Sequence, residues 1–277
     1  MKMMHIDLTK GWDFDHYDVR QLPPLPAEEE AKWYATFYHQ GRTEVPEAVR
    51  ALFAPGKGPT MDSACALIPG ENIDALMAPG HVDGDLGWCV LEGGIGYGSS
   101  CTVLEPVPFE MFAWYKRLKV VDDLSYKIWY PGSHVSEYGG ISVEDVGLGV
   151  ERIDTASPND VHNLGLSQDP AAVDGDFVAL IGGNGWVSLL DDPDSRGPRA
   201  LSLFHYVRRL AGGGSEFRTH FYLGAFCEDG RLVQKETYER ADLEELTRRM
   251  LSHCIYERSN LPAFLPALYE KMKDLAL

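Results

Sequence analysis

His253 and Glu257 have the residue types and the spacing that could hold a metal ion. They are four residues apart, so on a helix they are neighbours on one face, and they belong to a run in which apolar residues recur every three or four positions. The run is Leu243, Leu246, Met250, His253, Glu257, Leu261, Phe264 and Leu268. Taking an unpartnered polar group out of water costs roughly 2–7 kcal/mol, so the pair needs a partner. A metal ion is one possible partner. The simpler interpretation is that the two side chains bond each other or flank a solvent-lined groove.

A strand around Glu151 carries a further carboxylate. Period-two alternation places Glu151 on the same face as Gly147 and Gly149. Two glycines leave open space beside a carboxylate, which suits the approach of a ligand or ion. A solvent-facing glutamate with bulge glycines explains the same pattern.

Two more strands contain histidines. In the segment 217–224, Arg218, His220 and Tyr222 share one side and would present a cation, an imidazole and a phenol in a row if that side lines a cavity. His205, in a neighbouring strand, could act as an acid or base if it faces the same cavity. A structural role is the simpler interpretation of each histidine.

The composition excludes several classes of protein. The 277 residues include 42 acidic and 25 basic side chains, a net charge of −17, which argues against nucleic acid or an anionic membrane as the main partner. There is no apolar run of 18 residues and no signal-peptide core at the N-terminus, so we expect a soluble cytoplasmic protein. The five cysteines are dispersed, which indicates reduced thiols. The nucleophile motif Gly-x-Ser-x-Gly and the phosphate-loop motifs are absent.

The chain is predicted to have two regions. Residues 1–60 read as a Pro-containing extension with one helix from 26 to 40, whose aromatic residues pack either on the core or, as we favour, on a second subunit. Residues 61–277 form the main domain, of α+β class. Its many strands, joined by Gly, Pro and Asp turns and followed by one long terminal helix, predict a curved antiparallel sheet wrapped around a helix.

A helix is predicted over 106–118, and strand-and-turn structure over the Gly-rich residues 87–98. The β-rich run 124–131 is predicted to be a strand that ends at Pro-Gly. Further predicted strands are 141–143, 147–153, 177–181, 186–190, 200–209, 216–225 and 231–236.

Several segments of residues 105–270, taken in order, carry a resemblance to a known family. They are Glu110-Met111 leading into Asp123-Leu124-Ser125-Tyr126-Lys127-Ile128-Trp129, then Arg218-Thr219-His220-Phe221-Tyr222-Leu223-Gly224, then His253-Cys254-Ile255-Tyr256-Glu257 with Asn260-Leu261 and Leu265-Pro266-Ala267-Leu268-Tyr269. With these segments the chain resembles the 2,4-diacetylphloroglucinol and phloretin hydrolases, zinc-dependent enzymes that cleave a carbon–carbon bond between a phenolic ring and an acyl group.

The resemblance implies a helix-grip fold, like that of the birch-pollen allergen and START-like proteins, with a smaller N-terminal region used in dimerisation. It also implies a zinc ion held by two His and two Glu. His253 and Glu257 match the helical pair, and Glu151 is the candidate for the strand carboxylate. The remaining histidine is expected ten residues before Trp129, where this chain has Lys119.

A protonated lysine offers no lone pair and repels a divalent cation, so three outcomes stay open. A metal is held by Glu151, His253 and Glu257, with another group such as His220 completing the shell. Alternatively, the Lys119 ammonium replaces the cation and pairs with Glu151 and Glu257 in a metal-free pocket. In the third outcome, the alignment of this chain with the family is locally wrong near Lys119.

The resemblance thus implies a homodimeric hydrolase acting on a small aromatic ketone, such as a C-acylated phenol or a related β-diketone. Zn²⁺ would polarise the ketone and activate water. From their predicted strand positions alone, His205, Tyr126 or Tyr222 could supply or relay the proton that the ring carbon gains. The alternative is a metal-free helix-grip protein that binds or converts an aromatic polyketide, with Lys119 as internal cation or amine; a non-catalytic carrier of such ligands ranks third.

Overall fold

The structure of the chain is a computed structural model. It describes residues 3–4, 22–45, 47–53, 58–78, 80, 82–134, 162–168, 177–187 and 199–274. For residues 3, 4, 116, 117, 119–121, 177–182, 186 and 187 it describes the backbone alone. Glu151 and the strands predicted at 141–143 and 147–153 lie outside the described residues.

An antiparallel sheet of five strands, in the spatial order β2-β3-β6-β5-β4, is the largest in the described part of the chain. Its strands are β2 (Gly87–Leu91), β3 (Ile95–Leu104), β4 (Phe177–Val187), β5 (Arg199–Arg209) and β6 (Ser215–Leu223). The central strand β6 pairs on both sides, so that His220 lies opposite Ser99 of β3 and Phe204 of β5. The strands predicted at 177–181 and 186–190 are one strand as far as Val187.

Two short strand pairs lie outside this sheet. Strands β1 (Met3–Met4) and β9 (Thr237–Tyr238) pair in parallel, and β7 (Ala225–Glu228) pairs with β8 (Arg231–Gln234) in an antiparallel hairpin. The α-helices whose bounds are given within the described residues are α1 (Ala27–Glu30), α2 (Ala35–Gln40), α3 (Glu47–Leu52), α4 (Phe109–Val121), α5 (Asp123–Trp129) and α6 (Arg240–Met272). The predicted helix 26–40 is therefore two short helices.

The prediction of a strand over 124–131 was wrong, because α5 occupies most of that range. Asp122 caps this helix: its side chain accepts a hydrogen bond from the backbone N–H of Ser125 at 3.2 Å. Leu124 and Ile128, one turn apart, are both fully buried. A capping residue and a contact between positions i and i+4 outweigh the β propensity of the aromatic residues in this run.

Helix α6, with 33 residues, confirms the predicted long C-terminal helix. It packs on β2 and β3 and also contacts α4 and α5. The helix lies very close to β3, because a Cβ atom on Gly96 would be 2.1 Å from Thr247 Oγ1. The fold is α+β with a large antiparallel sheet and a long C-terminal helix, as predicted, and is compatible with a helix-grip arrangement.

The two faces of the sheet are covered differently. Phe217, Thr219 and Phe221 of β6 face α6, and their apolar members join the cores formed with the helices. On the other face, Tyr222 packs in a third core together with Leu67 and other residues of the segment 61–77. Because successive residues of a strand alternate between faces, neighbouring residues of β6 belong to different environments.

The N-terminal region packs against the chain's own helices. Tyr34 and Tyr38 are buried in the core that includes α4 and α5. Lys32 forms an ion pair with Asp122, and Lys127 forms one with Glu29 at 2.7 Å. The aromatic helical region thus packs on the core, and the predicted subunit contact stays a prediction. Across the described residues, α6 included, no helix has the combination of length and apolar content needed to cross a bilayer.

Candidate metal centre

Three buried or nearly buried side chains converge at one point on α6. Their potential ligand atoms belong to His134, His253 and Glu257 and lie within 4.8 Å of one another. The Nε2 atoms of His134 and His253 are 3.3 Å apart. Glu257 Oε2 is 3.2 Å from His134 Nε2 and 3.4 Å from His253 Nε2.

These three separations fit a common metal ligand set. With ligand bonds of about 2.0–2.1 Å, two ligands of a tetrahedral zinc ion are roughly 3.3–3.4 Å apart. The two imidazoles and the carboxylate form a nearly equilateral triangle with edges of this length. Imidazole nitrogen and carboxylate oxygen are also the donor types found in catalytic zinc sites. The residues present therefore fit a divalent transition-metal ion.

His134 is brought to α6 by the turn that follows α5. The backbone N–H of His134 donates to Tyr130 O at 3.0 Å, which closes the turn. Asn260 of α6 donates to Trp129 O at 2.9 Å, so the turn is tied to the same helix that carries His253 and Glu257. These bonds fix the distance between the turn and the helix.

Arg42 holds the turn from the other side. Its Nε donates to Pro131 O at 2.8 Å and its Nη2 donates to Ser133 Oγ at 2.6 Å. The guanidinium carbon lies 4.0 Å from the centre of the Tyr130 ring, a cation–π contact. The N-terminal region thus helps to position His134.

Aromatic rings surround the two histidines. The ring of Tyr126 stacks on that of His134, with centres 4.1 Å apart and planes 6° from parallel. Tyr130 meets His253 edge-on at 5.0 Å. Trp129 Nε1 donates to the backbone oxygen of Glu257 at 3.0 Å. Such packing restricts ring rotation and excludes water, both of which favour a preorganised site.

Glu257 is ionised in this environment. Burial alone raises the pKa of its carboxyl, but the hydrogen bonds and charges of His134 and His253 outweigh burial and hold the pKa well below its usual value. A carboxylate is the form of Glu257 that can bind a cation, whereas the two imidazoles can bind one only when they are neutral.

The structure places the other predicted site residues in three different environments. Tyr126 lies at the cluster, stacked on His134. His205 faces α6 from β5, with its Nδ1 atom 2.7 Å from Thr219 Oγ1. His220 and Tyr222 lie on the opposite face of the sheet, where Tyr222 donates its hydroxyl hydrogen to Leu67 O. The alternation of β6 therefore does not bring His220 or Tyr222 to the cluster.

Two predicted site residues have no described side chain. Lys119 lies on α4, and only its backbone is described. Glu151 is outside the described residues. Their assigned roles, as substitute cation and as fourth ligand, stay predictions.

Sequence reasoning missed His134. The second histidine was sought ten residues before Trp129, whereas the structure supplies one five residues after it. His134 follows the Pro-Gly turn at 131–132, and a turn residue belongs to no helical or strand periodicity. The sequence did offer one signal for His134: it lies close to Trp129, which belongs to a segment that resembles the family.

The fold and the site define the class: an α+β protein with a candidate divalent-metal site, in which a His-Glu pair of the C-terminal helix meets a histidine from the turn after α5. The chain belongs to the DAPG hydrolase family, because the family model described as the DAPG hydrolase PhiG domain matches residues 68–143 and 138–270. All three residues of the cluster lie within the matched ranges.

Two curated relatives have the same printed name, 2,4-diacetylphloroglucinol hydrolase. The protein from Pseudomonas sp is 25% identical over 276 residues, which cover 87% of this chain and 88% of the relative. The protein from Pseudomonas protegens (strain DSM 19095 / LMG 27888 / CFBP 6595 / CHA0) is also 25% identical and covers 87% of this chain and 84% of the relative. The likeness therefore extends over most of both chains.

Proposed function

We propose that this chain is a metal-dependent hydrolase that cleaves the carbon–carbon bond between an acyl group and a phenolic ring of the phloroglucinol type. Membership of the family supports a hydrolase acting on such a compound. The observation that carries the metal-dependent part is the triangle of His134, His253 and Glu257, with edges of 3.3, 3.2 and 3.4 Å.

We assign the binding of the ion to His134, His253 and Glu257, with Glu151 as the proposed fourth ligand. When bound, a divalent ion such as Zn²⁺ supplies Lewis acidity towards the substrate carbonyl and towards water. The overall reaction adds the hydroxyl of water to the acyl carbon, breaks the bond from that carbon to the ring and places a proton on the ring carbon. The products are a carboxylic acid and the deacylated phenol.

The chain's own residues have to orient the ring and deliver this proton. Tyr126 is the first candidate for the proton donor, because its ring stacks on that of His134, a proposed metal ligand. His205 is a second candidate, on the face of the sheet that looks towards α6. Trp129 and Tyr130 give the site the apolar aromatic walls that suit a phenolic substrate.

Metal analysis combined with an assay tests this proposal. Protein purified without added metal is expected to contain about one equivalent of a divalent transition metal and to convert an acetylated phloroglucinol into acetate and the deacylated phenol. His134→Ala removes one ligand and is expected to weaken metal binding at least about tenfold, with loss of turnover. His39→Ala, at an exposed histidine that pairs with Glu30 and is not part of the triangle, is the matched control and should behave as wild type.

A wild-type protein with less than about a tenth of an equivalent of metal, no uptake of added Zn²⁺ and no turnover would refute the proposal. Full metal binding by the His134→Ala variant would refute the assignment of His134.

A further inference from the structure

Arg258 is a fully buried cation beside the metal triangle. It follows Glu257 on α6 and its side chain has no solvent exposure. The guanidinium reaches the facing sheet: Nη1 donates to Ser100 Oγ at 3.1 Å, and Nη2 donates to Thr219 Oγ1. Nη2 also lies 3.3 Å from His205 Nδ1. Three strands, β3, β5 and β6, thus fix the position of one guanidinium group.

The two oxygens of Glu257 have different neighbours. Oε2 faces both histidines, at 3.2 and 3.4 Å, whereas Oε1 lies 3.7 Å from Arg258 Nη2. The carboxylate is therefore oriented by a cation on one side and presents its other oxygen to the imidazoles. Rotation about the last side-chain bond would exchange the two oxygens, and the charge of Arg258 opposes any orientation that moves both away from it.

Burial makes Arg258 and Glu257 depend on each other. Among the described residues, Glu257 is the acidic group within ion-pair distance of Arg258, and the other polar groups around the guanidinium include two hydroxyls, an imidazole and the Cys254 thiol. A buried charge is tolerated when it is paired and hydrogen-bonded. The aromatic face of Phe217, 4.9 Å from the guanidinium carbon, adds a cation–π contact.

We propose that Arg258 is a positioning residue that transmits the geometry of the sheet to the metal site by holding Oε1 of Glu257, which leaves Oε2 to bind the ion. This inference rests on the proposed metal site. A lysine keeps the charge but has no planar fork to bond two strands and a carboxylate together, so it should restore the function only in part. The groups that support a metal ligand typically change metal affinity by about 10–100-fold when they are removed.

Cobalt binding tests the inference without requiring activity. Co²⁺ is titrated into metal-free wild type and into the variants Arg258→Met and Arg258→Lys, in competition with a chelator; the visible d–d spectrum of the bound ion reports its coordination. We expect Arg258→Met to raise the Kd about 10–100-fold and to change the spectrum, and Arg258→Lys to have an intermediate effect. Arg218→Met is the matched control, because Arg218 is an equally buried arginine on the other face of the same sheet.

The outcomes separate this inference from the proposed function. Wild type that binds neither Co²⁺ nor Zn²⁺ would overturn the metal site itself. If the Arg258→Met variant folds and has the same Kd and the same spectrum as the wild type, only the role of Arg258 is overturned. If Arg258→Met fails to fold, Thr219→Val replaces it, since it removes one anchor of the guanidinium and keeps the charge. A several-fold weaker Kd in Thr219→Val supports the role, and an unchanged Kd in both Thr219→Val and Arg258→Lys overturns it.

Discussion

At the scale of single residues, the fold buries histidines in two opposite ways. His134 and His253 converge on a carboxylate, whose charge and hydrogen bonds compensate for their removal from water. His220 is fully buried, and neither ring nitrogen has a hydrogen-bond partner among the described residues. Its ring lies nearly parallel to that of Phe204, with centres 5.4 Å apart. His220 thus packs as an aromatic ring, and burial lowers its pKa to about 3.

This burial predicts that His220 makes the fold sensitive to acid. The unfolded chain takes up a proton at His220 below the ordinary pKa of about 6.5, whereas the folded chain does so only near 3, so stability falls as the pH falls between these values. The contribution is at most about 1.4 kcal/mol per pH unit. His220→Phe should therefore reduce the pH dependence of the free energy of unfolding between pH 6.5 and 4, measured by urea denaturation.

The exposed His162 provides the control for this prediction. His162→Phe is expected to leave the wild-type dependence in place, because its side chain is 70% exposed. An identical pH dependence in wild type and His220→Phe would contradict the burial of an unprotonated ring.

At the scale of elements, the periodicity of apolar residues predicted the long regular helix. It failed where a turn or a helix cap determines the structure. The stripe from Leu243 to Leu268 predicted α6 and the joint position of His253 and Glu257, because a helix repeats every 3.6 residues. The run 124–131 was misassigned because its aromatic composition favours a strand, whereas the Asp122 cap and the packing of the segment favour a helix. That error also hid His134, whose position depends on where α5 ends.

The contact between α6 and β3 gives a prediction about these elements. A methyl group on Gly96 would collide with Thr247 Oγ1, which is itself held by a 2.6 Å hydrogen bond to Leu243 O. Gly96→Ala should displace the helix and cost about 1–3 kcal/mol of stability. Because α6 carries His253 and Glu257, the same variant should also bind Zn²⁺ more weakly. Urea denaturation and zinc titration measure the two effects.

Gly185 is the matched control within the sheet. A Cβ atom at Gly185, on β4, would meet nothing within 4 Å. Gly185→Ala should therefore change stability by less than about 0.5 kcal/mol. Equal effects of the two substitutions would show that the close approach of α6 to Gly96 does not limit the packing.

At the scale of the whole molecule, the candidate site joins parts of the chain that are far apart in sequence. Arg42 comes from the N-terminal region, His134 from the turn after α5, and Glu257 from the terminal helix. The sequence indicated the α+β class, the long helix and one pair of the site. It could not supply the third member, because only tertiary packing brings the turn to the helix. The net charge of −17 favours the approach of a cation and opposes that of an anionic phenol.

The central claim is that His134, His253 and Glu257 bind one divalent metal ion. Crystals of protein purified without added metal, measured by anomalous scattering across the edges from manganese to zinc, test it most directly. We predict one strong anomalous peak about 2.0–2.2 Å from His134 Nε2, His253 Nε2 and Glu257 Oε2. A map with no peak at this triangle, from protein that nevertheless hydrolyses an acetylated phloroglucinol, would contradict the claim.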